Sequence, residues 1–169
     1  MTALDPSVSI GRQMDETLYL HTRLNSAQRQ ARIRASLLEA GLEETERVCR
    51  MRPNMLSGGM LQRVLIALAL STGAELVIAD EPTTALDVVL RNETVDAFVR
   101  LREKGAAVLF VTHDFAAARR LGGEVLVMRE GTVVERGDVR EVWASPEKEY
   151  TKALVRASSL SKGARHADR

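Results

Sequence analysis

The chain has 169 residues, 45% hydrophobic and 28% charged, with a formal net charge of +1. That allows one domain with a modest core, and it gives no strong global field to draw nucleic acid or anionic lipid. The single cysteine, Cys49, excludes an internal disulfide, stands in no metal-ligand spacing and fits a reducing compartment.

Met1 to Gln13 reads as a loop, polar and broken by Pro6 and Gly11, with no signal-peptide pattern. A helical region follows. Asn25 and Ser26 are N-cap residues, and Ile33, Leu37, Leu38 and Leu42 recur near helical spacing before a stop at Gly41. Glu43 to Asn54 reads as a polar connection containing Pro53. A second helix, Met60 to about Leu70, is apolar nearly all round and is expected to be buried. Its apolar run, Val64 to Leu70, is too short to cross a bilayer.

From there strands alternate with helices. Leu76 to Ala79 and Ala107 to Val111 are short continuous apolar runs, expected as strands covered on both faces. Asp87 caps a helix whose inner face reads Leu90, Thr94, Ala97, Phe98 and Leu101, closed by Lys104-Gly105. Asp114 caps a shorter helix. Val125 to Met128 and Thr132 to Glu135 flank Glu130-Gly131 as a hairpin. Helices near Val139 to Ala144 and Tyr150 to Ala157 precede a polar, slightly basic end, Ser158 to Arg169, expected to fray.

Four short motifs carry chemistry. Leu56-Ser57-Gly58-Gly59-Met60-Leu61-Gln62-Arg63 opens a helix with bare backbone N–H groups and small residues, an arrangement that accepts phosphate. A plain turn into a core helix accounts for it equally well. Leu76-Val77-Ile78-Ala79-Asp80-Glu81 ends an apolar strand in two acids, one suited to a magnesium ion and one to an attacking water. A solvated acidic turn is the alternative. Thr84-Ala85-Leu86-Asp87 is at least a helix cap. Val108-Leu109-Phe110-Val111-Thr112-His113-Asp114 puts a histidine at the strand end where parallel α/β sheets bind ligands. His21 and His166 have no such context and read as surface residues.

In this order and spacing the four motifs resemble those of ABC-transporter nucleotide-binding subunits, over essentially the whole chain: signature, Walker B strand, D-loop and switch histidine. The opening Met1-Thr2-Ala3-Leu4-Asp5-Pro6, the stretch Gly58 to Arg63 and the ending Ser145 to Leu154 resemble the peptide and nickel importer branch. Met60 departs from the glutamine commoner in the wider family, as members of this branch do.

The resemblance implies an α/β fold, a partial P-loop NTPase (RecA-like) sheet with a helical subdomain ahead of it. Residues 1–59 would be that helical subdomain, 60–145 the RecA-like core and 146–169 a C-terminal extension. It further implies ATP and Mg2+ as cofactors. Ser57, Gly58, Gly59 and Gln62 would face a partner's nucleotide, and Asp87 would couple two sites across a dimer. Asp80 would hold magnesium, Glu81 would be general base, and His113 would steady the γ-phosphate and the water. The implied partners are a second ATP-binding subunit, in a homo- or heterodimer, and two integral-membrane permeases. The implied location is cytoplasmic, peripheral on the inner face of the cell membrane, with no membrane insertion and no nucleic acid.

No Gly-Lys dipeptide occurs in the chain, so the glycine-rich loop that wraps phosphates is missing from it. By the resemblance that loop lies upstream with its strand and a β-subdomain, and the chain is expected to be an N-terminal truncation. It would supply signature residues to a partner's ATP site and be inactive alone. Without the phosphate-loop strand, the edge Ala107 to Val111 is exposed and Val125 to Met128 loses its neighbour, so the isolated polypeptide is expected to fold poorly. The alternatives are a non-functional remnant or mis-called start of such a gene, and half of a chromosome-maintenance ATPase. The long heptad arms of the last are not present.

Overall fold

A computed structural model describes residues 4–84 and 86–163. The chain divides into two compact units, Met1–Leu109 and Phe110–Arg169.

The first unit is built on helices. Helix α1 (Ile10–His21) buries Ile10, Met14 and Leu18, one residue per turn. It therefore begins inside the stretch expected to be loop. The reason is Gly11, which packs so closely on Cys49 that a Cβ there would stand 2.9 Å from the Cys49 Cβ. Glycine at this point permits a helix–helix approach and does not break the helix.

Helix α2 (Ser26–Glu39) starts as expected, with a reciprocal capping box between Asn25 and Gln28. Gly41 ends it with a positive φ of 80°. Ile33, Leu37 and Leu42 are buried, but Leu38 lies on the outer face. The Arg29 guanidinium of α2 grips both carboxylate oxygens of Asp15 on α1, at 2.8 and 3.1 Å. That hydrogen-bonded pairing holds the Asp15 carboxyl below its ordinary range despite the opposing effect of burial.

The expected connection at Glu43 to Asn54 is instead a short helix, α3 (Thr45–Arg50), followed by a 3₁₀ turn at Pro53–Met55. Val48 of α3 enters the core, which also takes Ile10, Met14, Leu18, Ile33, Leu37, Val64 and Ala67. Helix α4 (Gly58–Thr72) is central to it and ends at Gly73 in the left-handed region.

Strand β1 (Leu76–Asp80), helix α5 (Val88–Glu103) and strand β2 (Ala107–Val111) follow. The inner face of α5 is as expected, with Thr94, Ala97, Phe98 and Leu101 buried and Val95 added to them. β1 and β2 form a two-stranded sheet. Neither is covered on both faces: Leu76, Ile78 and Leu109 are 56%, 65% and 51% exposed. The continuous apolar run marks a strand that wants two covered faces, and in this chain one of them is bare.

In the second unit, helix α6 (Phe115–Leu121) precedes the hairpin of β3 (Glu124–Arg129) and β4 (Thr132–Asp138). Glu130 and Gly131 both have positive φ, the backbone twist that suits a two-residue turn between antiparallel strands. Helices α7 (Val139–Ala144) and α8 (Glu149–Gly163) complete the unit. α8 continues through part of the end expected to fray; residues 164–169, with His166, lie outside the described residues. Phe115, Val127 and Val142 form the core, and Trp143 lies 5.4 Å from the Phe115 ring centroid.

A bulge between Val127 and Met128 sets Glu135 opposite Val127. Glu135 is buried, and its carboxylate accepts the backbone N–H groups of Glu147 (2.8 Å) and Lys148 (3.1 Å), which open α8. Burial pushes its pKa up, but the Thr151 hydroxyl, those two amides and the Lys148 charge outweigh it and hold the group below the ordinary glutamate range. A depressed folded-state pKa contributes stability above the unfolded value and loses it as pH falls through the folded one. Acid titration is therefore expected to release α8 first below the ordinary glutamate range. Fluorescence of Trp143, the only tryptophan, reads this, and Glu135→Gln should remove that acid step.

Candidate functional site

Ser57 is the N-cap of α4, and its Oγ accepts the Met60 N–H at 3.3 Å. Gly58 is exposed, and a Cβ built on it would meet nothing within 4 Å. The first turn of α4 is thus open at Gly58, at the positive end of a 15-residue helix. Gly59, one residue on, is buried for another reason. A Cβ there would stand 2.9 Å from Leu90 Cδ1, so glycine lets α5 lie against the start of α4. Gln62 is half-buried on the next turn.

Asp87 caps α5 as expected, its carboxylate accepting the N–H groups of Val89 and Leu90, both at 2.9 Å. Such a cap is worth about 1 kcal/mol. Ala85 of the same motif lies outside the described residues. Leu90 joins this cap to the signature turn, because it is the third residue of the helix that Asp87 opens and packs against Gly59.

Asp80 is the exposed last residue of β1. Glu81 follows with a φ of 48°, left-handed backbone that costs a residue other than glycine about 1–2 kcal/mol. Its carboxylate accepts the Thr84 hydroxyl at 2.9 Å. Backbone strain at an acid that ends a strand is the kind found where function fixes side-chain direction. Among the described residues no three His, Cys, Asp or Glu side chains converge on a metal position. One carboxylate is nevertheless sufficient beside phosphate oxygens, since magnesium keeps several waters and takes few protein ligands.

His113 stands in the second unit, at the exposed turn between β2 and α6. Its neighbour Asp114 caps α6 by accepting the N–H groups of Ala116 and Ala117. Seven of the eight predicted site residues thus belong to the first unit and one to the second. Reading the motifs alone missed Arg63 and Glu93, whose ion pair at 3.2 Å links α4 to α5. Arg63 stood in the quoted signature, but nothing in the sequence pairs it with Glu93.

A family profile described as ABC transporter matches residues 2–84, a span that takes in the signature and both acids. The dipeptide transport ATP-binding protein DppD of Escherichia coli is 37% identical over 93% of this chain. The metal-staphylopine import ATP-binding protein CntD of Staphylococcus aureus is 38% identical over 90% of it. YejF of Agrobacterium fabrum, a peptidoglycan transport ATP-binding protein, is 40% identical over 93%. Over residues 2–84 the chain carries the ABC-transporter domain that this profile describes, and its likeness to transport ATP-binding proteins extends over nine-tenths of its length.

It spans 48% of DppD, 57% of CntD and 29% of YejF. Solved structures agree with the expected α/β class. The dimeric structure of MJ0796, a bacterial ABC transporter cassette, superposes with a TM-score of 0.72 at 32% identity, covering 82% of this chain and 60% of the cassette. The same cassette in a post-hydrolysis state, bound to ADP and Pi, gives 0.71. No helix among the described residues is long and apolar enough to cross a membrane.

Proposed function

We propose that this chain acts as part of the ATP-binding subunit of an importer for peptides or nickel, contributing signature residues to a partner's nucleotide. The observation that carries this reading is the first turn of α4. Ser57 satisfies Met60, Gly58 leaves open space, and both Ser57 and Gly58 are exposed at the start of the helix. The dimeric state of MJ0796 and its ADP- and Pi-bound form are the precedents for two nucleotide-binding subunits meeting. DppD is named for dipeptide transport and CntD for metal-staphylopine import, so a peptide carrier and a metal-complex carrier both stand among relatives of similar identity.

The residues divide by role. Ser57, Gly58, Gly59 and Gln62 face the partner's ATP, and Asp87 couples the two sites. Asp80 would hold Mg2+, which neutralises phosphate charge when bound. Glu81 orients the attacking water and takes its proton, and His113 positions that water against the terminal phosphate. Residues 1–59 serve as the helical subdomain, 60–145 as the core and 146–169 as an extension. Two permeases in the membrane receive the motion, which puts the subunit at the inner face of the cell membrane. The chain has no Gly-Lys dipeptide, so it holds no ATP tightly by itself.

The test is association. Mixed with an intact cassette subunit of this branch, the chain is expected to form a complex only when ATP is present. Gly58→Asp adds a side chain where there is space, so folding is preserved, but it sets a carboxylate against the incoming phosphate. That variant should not associate. Equal binding of wild type with and without ATP, or none at all, would sink the reading.

A further inference from the structure

We infer that Arg63 is a positioning residue that ties the signature turn to the helix behind Asp87, so that the two nucleotide-facing turns move as one piece. The inference rests on reading the Ser57 turn as nucleotide-facing. The geometry is that of one side chain serving three elements. Arg63 Nη1 donates to the carbonyl of Gly41, just past the end of α2, at 3.0 Å. Its Nε donates to the carbonyl of Gly59 on the first turn of α4 at 3.4 Å. The same Nη1 pairs with Glu93 Oε2 of α5 at 3.2 Å.

Arg63 is only 15% exposed and Glu93 is 48% exposed. The pair is therefore weak by itself, and the bond to the Gly41 carbonyl at 3.0 Å, with the longer one to Gly59, adds to it. Leu90 against Gly59 adds an apolar contact to the same joint. Leu90 and Glu93 lie on one face of α5, three residues apart, and both meet α4 within its first two turns. Asp87 lies one turn before Leu90. A displacement of the α5 start thus pushes directly on the turn that carries Ser57 and Gly58. Lysine cannot replace arginine here, because an ammonium lacks the planar fork needed to reach carbonyls and carboxylate together.

Two readouts decide the matter. In the wild-type chain, amide hydrogen exchange at the first turns of α4 and α5 is expected to be slow and correlated. Arg63→Lys should speed exchange at both by about tenfold, and Glu93→Gln by about threefold, with α1 and α2 unchanged. In the ATP-dependent association assay, Arg63→Lys should weaken binding by a similar factor without altering the unfolding temperature. Loss of protection throughout α1, α2 and α4 together with a lowered unfolding temperature would overturn the inference, since Arg63 would then only hold the unit together. Faster exchange at α4 with α5 unaffected would also overturn it. If the wild-type chain fails to associate with ATP, the nucleotide reading falls, while exchange still decides whether the two turns are coupled.

Discussion

Glu81→Gln is expected to slow ATP hydrolysis by about 10²- to 10⁴-fold while leaving nucleotide binding intact, the range lost with a general base. Turnover is measured in a fusion that carries the phosphate-binding segment of a relative such as DppD. Glutamine keeps the length of the side chain and an oxygen for the Thr84 hydroxyl, so the local hydrogen bond at 2.9 Å is preserved. What it loses is the ability to accept a proton. The strained backbone offers a control. Glu81→Gly would relieve the cost of φ at 48° and also remove the carboxylate. A more stable but inactive glycine variant, beside an equally inactive glutamine variant, assigns the loss to chemistry and not to folding. Undiminished turnover in Glu81→Gln would refute the base assignment.

The motifs were legible because each follows from local rules. Capping predicted Asn25, Asp87 and Asp114, and all three accept backbone N–H groups where expected. Glu130-Gly131 gave the hairpin turn for the same reason. Only the start of helix α1 is hidden, although Ile10, Met14 and Leu18 carry the helical period, because Gly11 and Pro6 read as loop residues. Glycine is a breaker in a chain considered alone and a spacer once Cys49 is packed against it. The polar connection hid α3 in a similar way: only Val48 marks its inner face strongly, and six residues are too few to show a period. The Arg63–Glu93 pair and the Glu135 grip on α8 join residues 30 and 12 positions apart, and no spacing rule reaches that far.

Lysine at Ile78 is expected to turn a self-associating chain into a smaller and more soluble one. Leu76, Ile78 and Leu109 leave an apolar face on the β1–β2 sheet that no described residue covers. Burying what remains exposed of three such side chains is worth on the order of 3 kcal/mol per copy, enough to favour association as concentration rises. Two strands that pair with each other and with no other strand among the described residues reinforce the tendency. Light scattering on eluted protein should show wild-type mass rising with concentration. Ile78→Lys, alone or with Leu109→Lys, should flatten that rise, because a charge on the face must be desolvated for copies to meet. Leu38→Lys is the matched control, an exposed leucine on α2 away from the sheet, and should change nothing. A wild-type chain that stays monomeric at high concentration would show that the face is tolerated in water. Equal effects of Leu38→Lys and Ile78→Lys would assign the association to general hydrophobicity and not to this sheet.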